Sequence, residues 1–284
     1  MSQSLAVGSE EHKTLFCRML LDTFDPYRPA VIAWPNLDDD ALARLTALPF
    51  WDVAVETEGF ASARVKAYAE ALSDPLLKEA VSLNAFEESR HKQVLEHMLI
   101  FYNIPLREGP DYVTDGDAEW AFMRTGYGEC FDSFFAFGLF ELARRSGFFP
   151  TELVEVFEPV IREEGRHILF FVNWVSWRAA SLPWHKRVFF RARCLAALLV
   201  NAVGRVSLAG GLGGGKNNQG NDNFVVSGGQ NLSVDISLRE FLDVCVAEND
   251  KRLSPYDPRL QRPMLMPRLI KFVRFFIPRK GAHA

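Results

Sequence analysis

Two five-residue stretches decide how this chain is read: Glu87-Glu88-Ser89-Arg90-His91 and Glu163-Glu164-Gly165-Arg166-His167. Each sets a Glu and a His three residues apart, Glu88 with His91 and Glu164 with His167. On a helix that spacing brings both side chains to one face. Around the first copy the same face reads Val81, Asn84, Glu88, His91, Leu95, Met98, which is otherwise largely an apolar stripe. A carboxylate and an imidazole aimed into a core need compensation, because an unpaired buried charge is very costly. Metal cations supply it. Salt-bridging on exposed faces would leave the stripe positions unexplained. Glu87 with Arg90, and Glu163 with Arg166, are read as exposed pairs of that kind within their own helices.

The flanking sequence supplies the helices. Trp51, Val55, Glu58, Ser62, Val65, Ala69 and Leu72 fall on one stripe, and the spacing predicts a helix over about 40–72. Ser73-Asp74-Pro75 stops it and starts a second helix over 75–102. A loop over 103–117 holds Pro105, Gly109, Pro110 and Gly116. A third helix follows to Ser146, closed by Gly147, and a fourth covers 150–181 with Pro159 as an expected kink. A helix of roughly 28 residues is about 42 Å long. About 15 extended residues reach roughly 50 Å, so the middle loop can run the full length of a bundle. The expectation is all-α: a four-helix bundle of two antiparallel hairpins joined by one long crossover, with extra C-terminal helices. Residues 1–44 are read as an N-terminal lead-in, 45–181 as the bundle and 182–284 as a helical extension.

If the two Glu-x-x-His pairs face one another, two more carboxylates should come from the first and third helices. Glu58 lies on the first helix's stripe and is about as far from the turn at Ser73 as Glu88 is. Three candidates stand on the third helix: Glu129, Asp132 and Glu141. Reflection about the turn near Gly147 sets Glu129 and Asp132 level with Glu164, and Glu141 too close to the turn. Glu129 is preferred, because it faces Gly126 and Ser133, small residues that leave room for a ligand. Asp132 would serve as an acceptor orienting a histidine. Glu141 returns if Pro159 starts the fourth helix and the turn shifts. The metal set is then Glu58, Glu88, His91, Glu129, Glu164 and His167. Two divalent ions about 3.5–4 Å apart can share such a set. Oxygen donors with imidazole suit iron or manganese.

This pattern resembles the ferritin-like di-metal carboxylate superfamily, over roughly residues 45–180. That superfamily takes one Glu from each of two helices and Glu-x-x-His from each of the other two. The resemblance implies two iron ions, or manganese, and chemistry with dioxygen or peroxide. It carries the expectation of a di-iron oxidase or oxygenase acting on a small organic substrate, with an apolar one in view. Ferroxidase-type iron handling, manganese-dependent peroxide dismutation and a metal-free binding scaffold are the alternatives. An electron-donor protein and a homodimer are partners compatible with this reading. The chain lacks the cysteine quartet of a rubrerythrin-type iron–sulfur module. Phe131, Phe134, Phe137 and Phe140 suit a substrate channel, but core packing is the favoured reading.

Composition narrows the classes. The chain has 284 residues and a net charge of −4, which gives no global pull toward nucleic acid. Cys17, Cys130, Cys194 and Cys245 stand far apart, as reduced thiols of a cytoplasmic protein would. The N-terminus has no signal-peptide pattern, and no apolar stretch reaches about 18 residues. From Lys251 onward nine Lys/Arg stand against one Asp. Residues 267–277 read as a basic amphipathic helix, suited to docking on the acidic bundle, the favoured reading, or to peripheral membrane contact. Gly210 to Lys216 nearly spells a phosphate-binding loop, but Asn217 stands where Ser or Thr would hold magnesium, so it is read as a plain loop.

Overall fold

The computed structural model describes residues 5–114, 116–209 (backbone only from 206) and 237–277. Among these, all regular structure is helical: α1 Glu10–Asp22, a 3-10 turn Pro29–Val31, α2 Asp39–Thr46, α3 Trp51–Ala71, α4 Pro75–Phe101, α5 Ala118–Ser146, α6 Thr151–Val156, α7 Glu158–Ser181, α8 Trp184–Ala209, α9 Leu238–Leu253 and α10 Leu265–Val273. The loop expected at Gly210 to Lys216 falls outside the described residues.

Local chemistry sets the helix ends. The Asp74 carboxylate accepts from the Leu77 amide at 2.9 Å, with Pro75 in the first turn of α4. Such a cap contributes about 1 kcal/mol. Asp117 caps α5 in the same way through the Trp120 amide at 2.9 Å. Gly147 ends α5 at φ 65°, a left-handed position that favours glycine. Ser237 and Glu240 form the reciprocal capping box that opens α9.

Two expected helices are broken. The stretch predicted as one helix over 40–72 divides into α2 and α3, because the chain leaves helical geometry over 47–50, around Pro49. The predicted fourth helix divides at Phe157 into α6 and α7. Pro159 sits in the first turn of α7, where its missing N–H costs nothing, so it starts a helix instead of kinking one.

The long helices pack in a ring: α3 on α4, α4 on α7, α7 on α5 and α5 on α3. The Ser62 hydroxyl donates to the Ala85 carbonyl at 3.0 Å, which pairs residues equidistant from the 72–74 turn and fixes the antiparallel register of α3 and α4. The N-terminal segment belongs to the same core. α1 lies on both α4 and α7. Its Phe16, Cys17 and Leu20 are buried with Leu77, Val81, Phe170 and Trp174. Burial of a Phe or Leu of this kind stabilises by about 1.5–3 kcal/mol. α8 and α9 pack on α5 from outside the ring. Phe134 and Phe137 are buried, and Phe134 packs with Leu242 and Cys245 of α9. These rings are part of the core.

Candidate metal centre

The two five-residue stretches meet in the middle of the ring, where α4 faces α7. Glu87, Glu88, Arg90, His91, Glu163, Arg166 and His167 are all at most 2% exposed. The expected exposed pairs within each helix are therefore corrected. The ion pairs cross between helices. Arg90 Nη2 lies 2.5 Å from Glu163 Oε1 but 3.7 Å from Glu87 Oε1 on its own helix. Arg166 Nη2 lies 2.5 Å from Glu87 Oε1 but 3.6 Å from Glu163 Oε1. A buried guanidinium binds a carboxylate strongly only in a direct geometry, and the crossed pairing provides it.

The same two carboxylates hold the histidines. His91 Nε2 donates to Glu163 Oε2 at 2.9 Å, and His167 Nε2 donates to Glu87 Oε2 at 2.8 Å. A carboxylate only accepts, so each Nε2 carries the proton. The Nδ1 atoms then point the other way, into a cluster of carboxylates. His91 Nδ1 is 3.2 Å from Glu164 Oε1, 3.6 Å from Glu58 Oε2 and 3.9 Å from Glu88 Oε2. His167 Nδ1 is 2.8 Å from Glu88 Oε1. The two imidazole centres are 5.6 Å apart.

Donor atoms of Glu58, Glu88, His91 and Glu164 all lie within 4.8 Å of one another. Both Nδ1 atoms, Glu88 Oε1 and Glu129 Oε1 are buried and make no hydrogen bond of acceptable direction. A bare Nδ1 lone pair beside a carboxylate oxygen is repulsive, so positive charge has to reside between them, as protons or as cations. Burial pulls both imidazoles toward neutrality, but the carboxylates around them outweigh it: Glu163, Glu164 and Glu58 for His91, and Glu88 and Glu87 for His167. Both are held well above the ordinary imidazole value. Burial, opposed by His91 but aided by repulsion from Glu88 and Glu164, pushes Glu58 up to about 8. Burial, with repulsion from Glu88 and Glu164, drives Glu129 well above the carboxylate range. Burial also acts against Glu164, but His91, His167 and the Ser133 hydroxyl hold it below the ordinary value.

Of the three candidates on the third helix, two are engaged elsewhere. Asp132 is bound to Arg205 of α8 through both oxygens and orients no histidine. Glu141 is taken by Arg144 and Arg145 of its own helix. Glu129 is left, with a buried, unpartnered oxygen in the field of Glu88, Glu164 and His167. The room expected beside it differs from the prediction. A Cβ on Gly126 would meet the Phe171 ring at 2.2 Å, so that space is filled. Ser133 donates to Glu164 Oε2 at 2.9 Å and holds that carboxylate in place.

Sequence reasoning missed the outer supports. Arg90 donates to the carbonyls of Asp25 at 2.7 Å and Tyr27 at 3.2 Å, and its guanidinium lies 3.9 Å from the Tyr27 ring centre. Tyr27 also donates to Glu163 Oε2 at 3.3 Å. Arg166 donates to the Leu20 carbonyl at 3.0 Å. The segment around α1 thus closes the cluster from one side, and no spacing signal within residues 1–44 points to that role.

The donor set fits a pair of divalent cations. Glu58, Glu88, Glu129 and Glu164 carry four negative charges when ionised, Glu87 and Glu163 are balanced by Arg166 and Arg90, and both imidazoles present Nδ1 inward. Two divalent ions would balance the remaining charge and satisfy the unpartnered atoms. Compared with known proteins, the chain matches no family model, no curated protein and no solved structure.

Proposed function

We propose that this chain is a carboxylate–histidine di-metal oxidoreductase of the ferritin-like kind, taking two iron ions, with manganese the other metal of matching preference. Glu58, Glu88, His91, Glu129, Glu164 and His167 would hold the pair. One observation carries this reading. Two buried imidazoles have their Nε2 protons committed to Glu163 and Glu87, while their unpartnered Nδ1 atoms face a cluster of carboxylates. Oxygen and imidazole donors without thiolate favour iron or manganese over a zinc–sulfur site.

Bound there, the metals would supply the electrons and Lewis acidity for reducing dioxygen or peroxide, with an organic substrate as the partner in oxidation. The chain's residues do the rest. Glu87 and Glu163 fix the tautomer and ring plane of the histidines. Ser133 fixes the Glu164 rotamer. Arg90 and Arg166 neutralise the outer carboxylates, so no guanidinium is drawn to the inner ones and their oxygens are left for metal. Glu58, partly exposed and pushed up to about 8 by burial in the metal-free cluster, would release its proton toward solvent when metal binds.

Metal analysis of the purified protein after anaerobic loading with ferrous or manganous ion tests this. About two ions per chain are expected. Glu88→Ala and His167→Ala should each lose most of the bound metal. Protein that retains no metal, or variants that retain all of it, would sink the proposal. Many irons per chain in a cage-like assembly would instead mark iron storage.

A further inference from the structure

The outer faces of α8 and α10 are apolar and carry positive charge alone. Along α8, Trp184 is 77% exposed, and Phe189, Leu195, Leu199 and Val203 are exposed as well. Val188, Leu195, Leu199 and Val203 recur at steps of seven and four, a continuous stripe along the helix. This stripe faces away from α5 and α7, the helices against which α8 packs. At the other end of the chain Leu269, Phe272 and Phe275 are exposed on and just beyond α10, with Phe275 at 84%. The buried side of α10, with Met266 and Ile270, is already seated on Phe134 and α9.

The charges between these apolar groups have one sign. Lys186 and Arg191 are exposed on α8, and Arg268 and Lys271 on α10. The sequence has no Asp or Glu between Glu164 and Asp222, and none after Asp257. Both helices pack on α5, and Phe131 of that helix connects them: Arg205 near the end of α8 lies over its ring at 5.4 Å, and Phe131 packs against the cluster that holds Met266 and Ile270.

We propose that α8 and α10 together form the surface by which the protein lies on an anionic lipid bilayer, with the aromatic and aliphatic side chains among the acyl chains and the Lys and Arg side chains at the headgroups. No described helix is long and apolar enough to cross a membrane, so the attachment is in the plane of the interface. Charge complementarity selects this occupant over a second copy of the chain. A second copy seated face to face would bring a surface that offers no carboxylate to Lys186, Arg191, Arg268 and Lys271, whereas an anionic headgroup layer neutralises them. The surface contains none of the six residues assigned to the metals, so its test stands apart from the metal reading.

Flotation of the full chain with lipid vesicles tests the inference. At low salt the protein should float with vesicles containing phosphatidylglycerol and bind phosphatidylcholine vesicles at least about tenfold more weakly. The double variant Leu199→Glu/Phe272→Glu should lose flotation while keeping its helical circular dichroism and melting temperature, since both positions are exposed. The double variant Lys186→Glu/Lys271→Glu should lose the preference for anionic lipid, which a purely apolar contact would not do. Wild-type protein that stays unbound on anionic vesicles at low salt overturns the proposal. So does a dimer in solution that Leu199→Glu splits into monomers, because the face would then be covered by a second copy.

Discussion

Glu87 and Glu163 each accept from an imidazole and a guanidinium of the opposite helix, and all of these groups are buried. Glu163→Gln keeps the shape and removes the charge, leaving Arg90 with Glu87 at 3.7 Å as its nearest remaining carboxylate. Unfolding free energy in denaturant should fall by about 3–5 kcal/mol, the cost of stranding one partner of a buried pair. Metal affinity by calorimetric titration should fall about 10–100-fold, the usual effect of losing a histidine's supporting carboxylate. Unchanged affinity would show that Glu163 does not position His91. Titration follows from the same cluster. His91, His167 and Glu58 all have raised folded pKa values, so the folded chain stripped of metal binds more protons than the unfolded chain near neutrality. Their contribution to stability is full below the unfolded values and is lost as pH rises through the folded ones, for Glu58 between 4.5 and about 8. Chelator-treated protein should therefore melt at progressively lower temperature across that window. Metal has to displace those protons, so uptake should release protons and tighten as pH rises; calorimetry in buffers of different ionisation enthalpy measures the number. The inner residues Glu58, Glu88, His91 and Glu164 were legible because polar groups on an apolar stripe stand out. The crossed ion pairs were not, because spacing along one helix says which groups share a face and nothing about a closer partner on the next helix.

At the scale of elements, close packing of α5 against α9 depends on Gly138. A Cβ there would lie 2.3 Å from Cys245 Sγ and 3.1 Å from Cys245 Cα, so backbone as well as side chain would have to move. Gly138→Ala should lower stability by about 1–3 kcal/mol in spite of alanine's better helix propensity. Adding Cys245→Ala should recover part of the loss in thermal melts, and no recovery would show that the strain lies elsewhere. The helix ends at Asp74-Pro75, Asp117 and Gly147 were readable because each uses a residue whose side chain or φ settles the local geometry. The breaks were not. The apolar stripe begins at Trp51 with no change of phase to mark the end of α2, and Pro159 has the same sequence signature whether it kinks a helix or begins one.

Across the whole molecule, charge is segregated. α3, α4, α5, α7 and α9 each carry three or four carboxylates, whereas α8 and α10 contain none. The basic C-terminal helix was legible, and so was its amphipathic pattern; that α8 would expose a second apolar face beside it was not, because burial depends on which neighbours arrive. The crossing of the ion pairs has a further consequence. α4 and α7 each carry the counter-charge that the other requires, and the carbonyls of Leu20 and Asp25 that Arg166 and Arg90 reach tie the N-terminal segment to both. Neither hairpin is thus a small version of the whole. A chain cut in the 103–117 connection would give two halves with mismatched, half-finished interiors, each of them the template on which the other is completed.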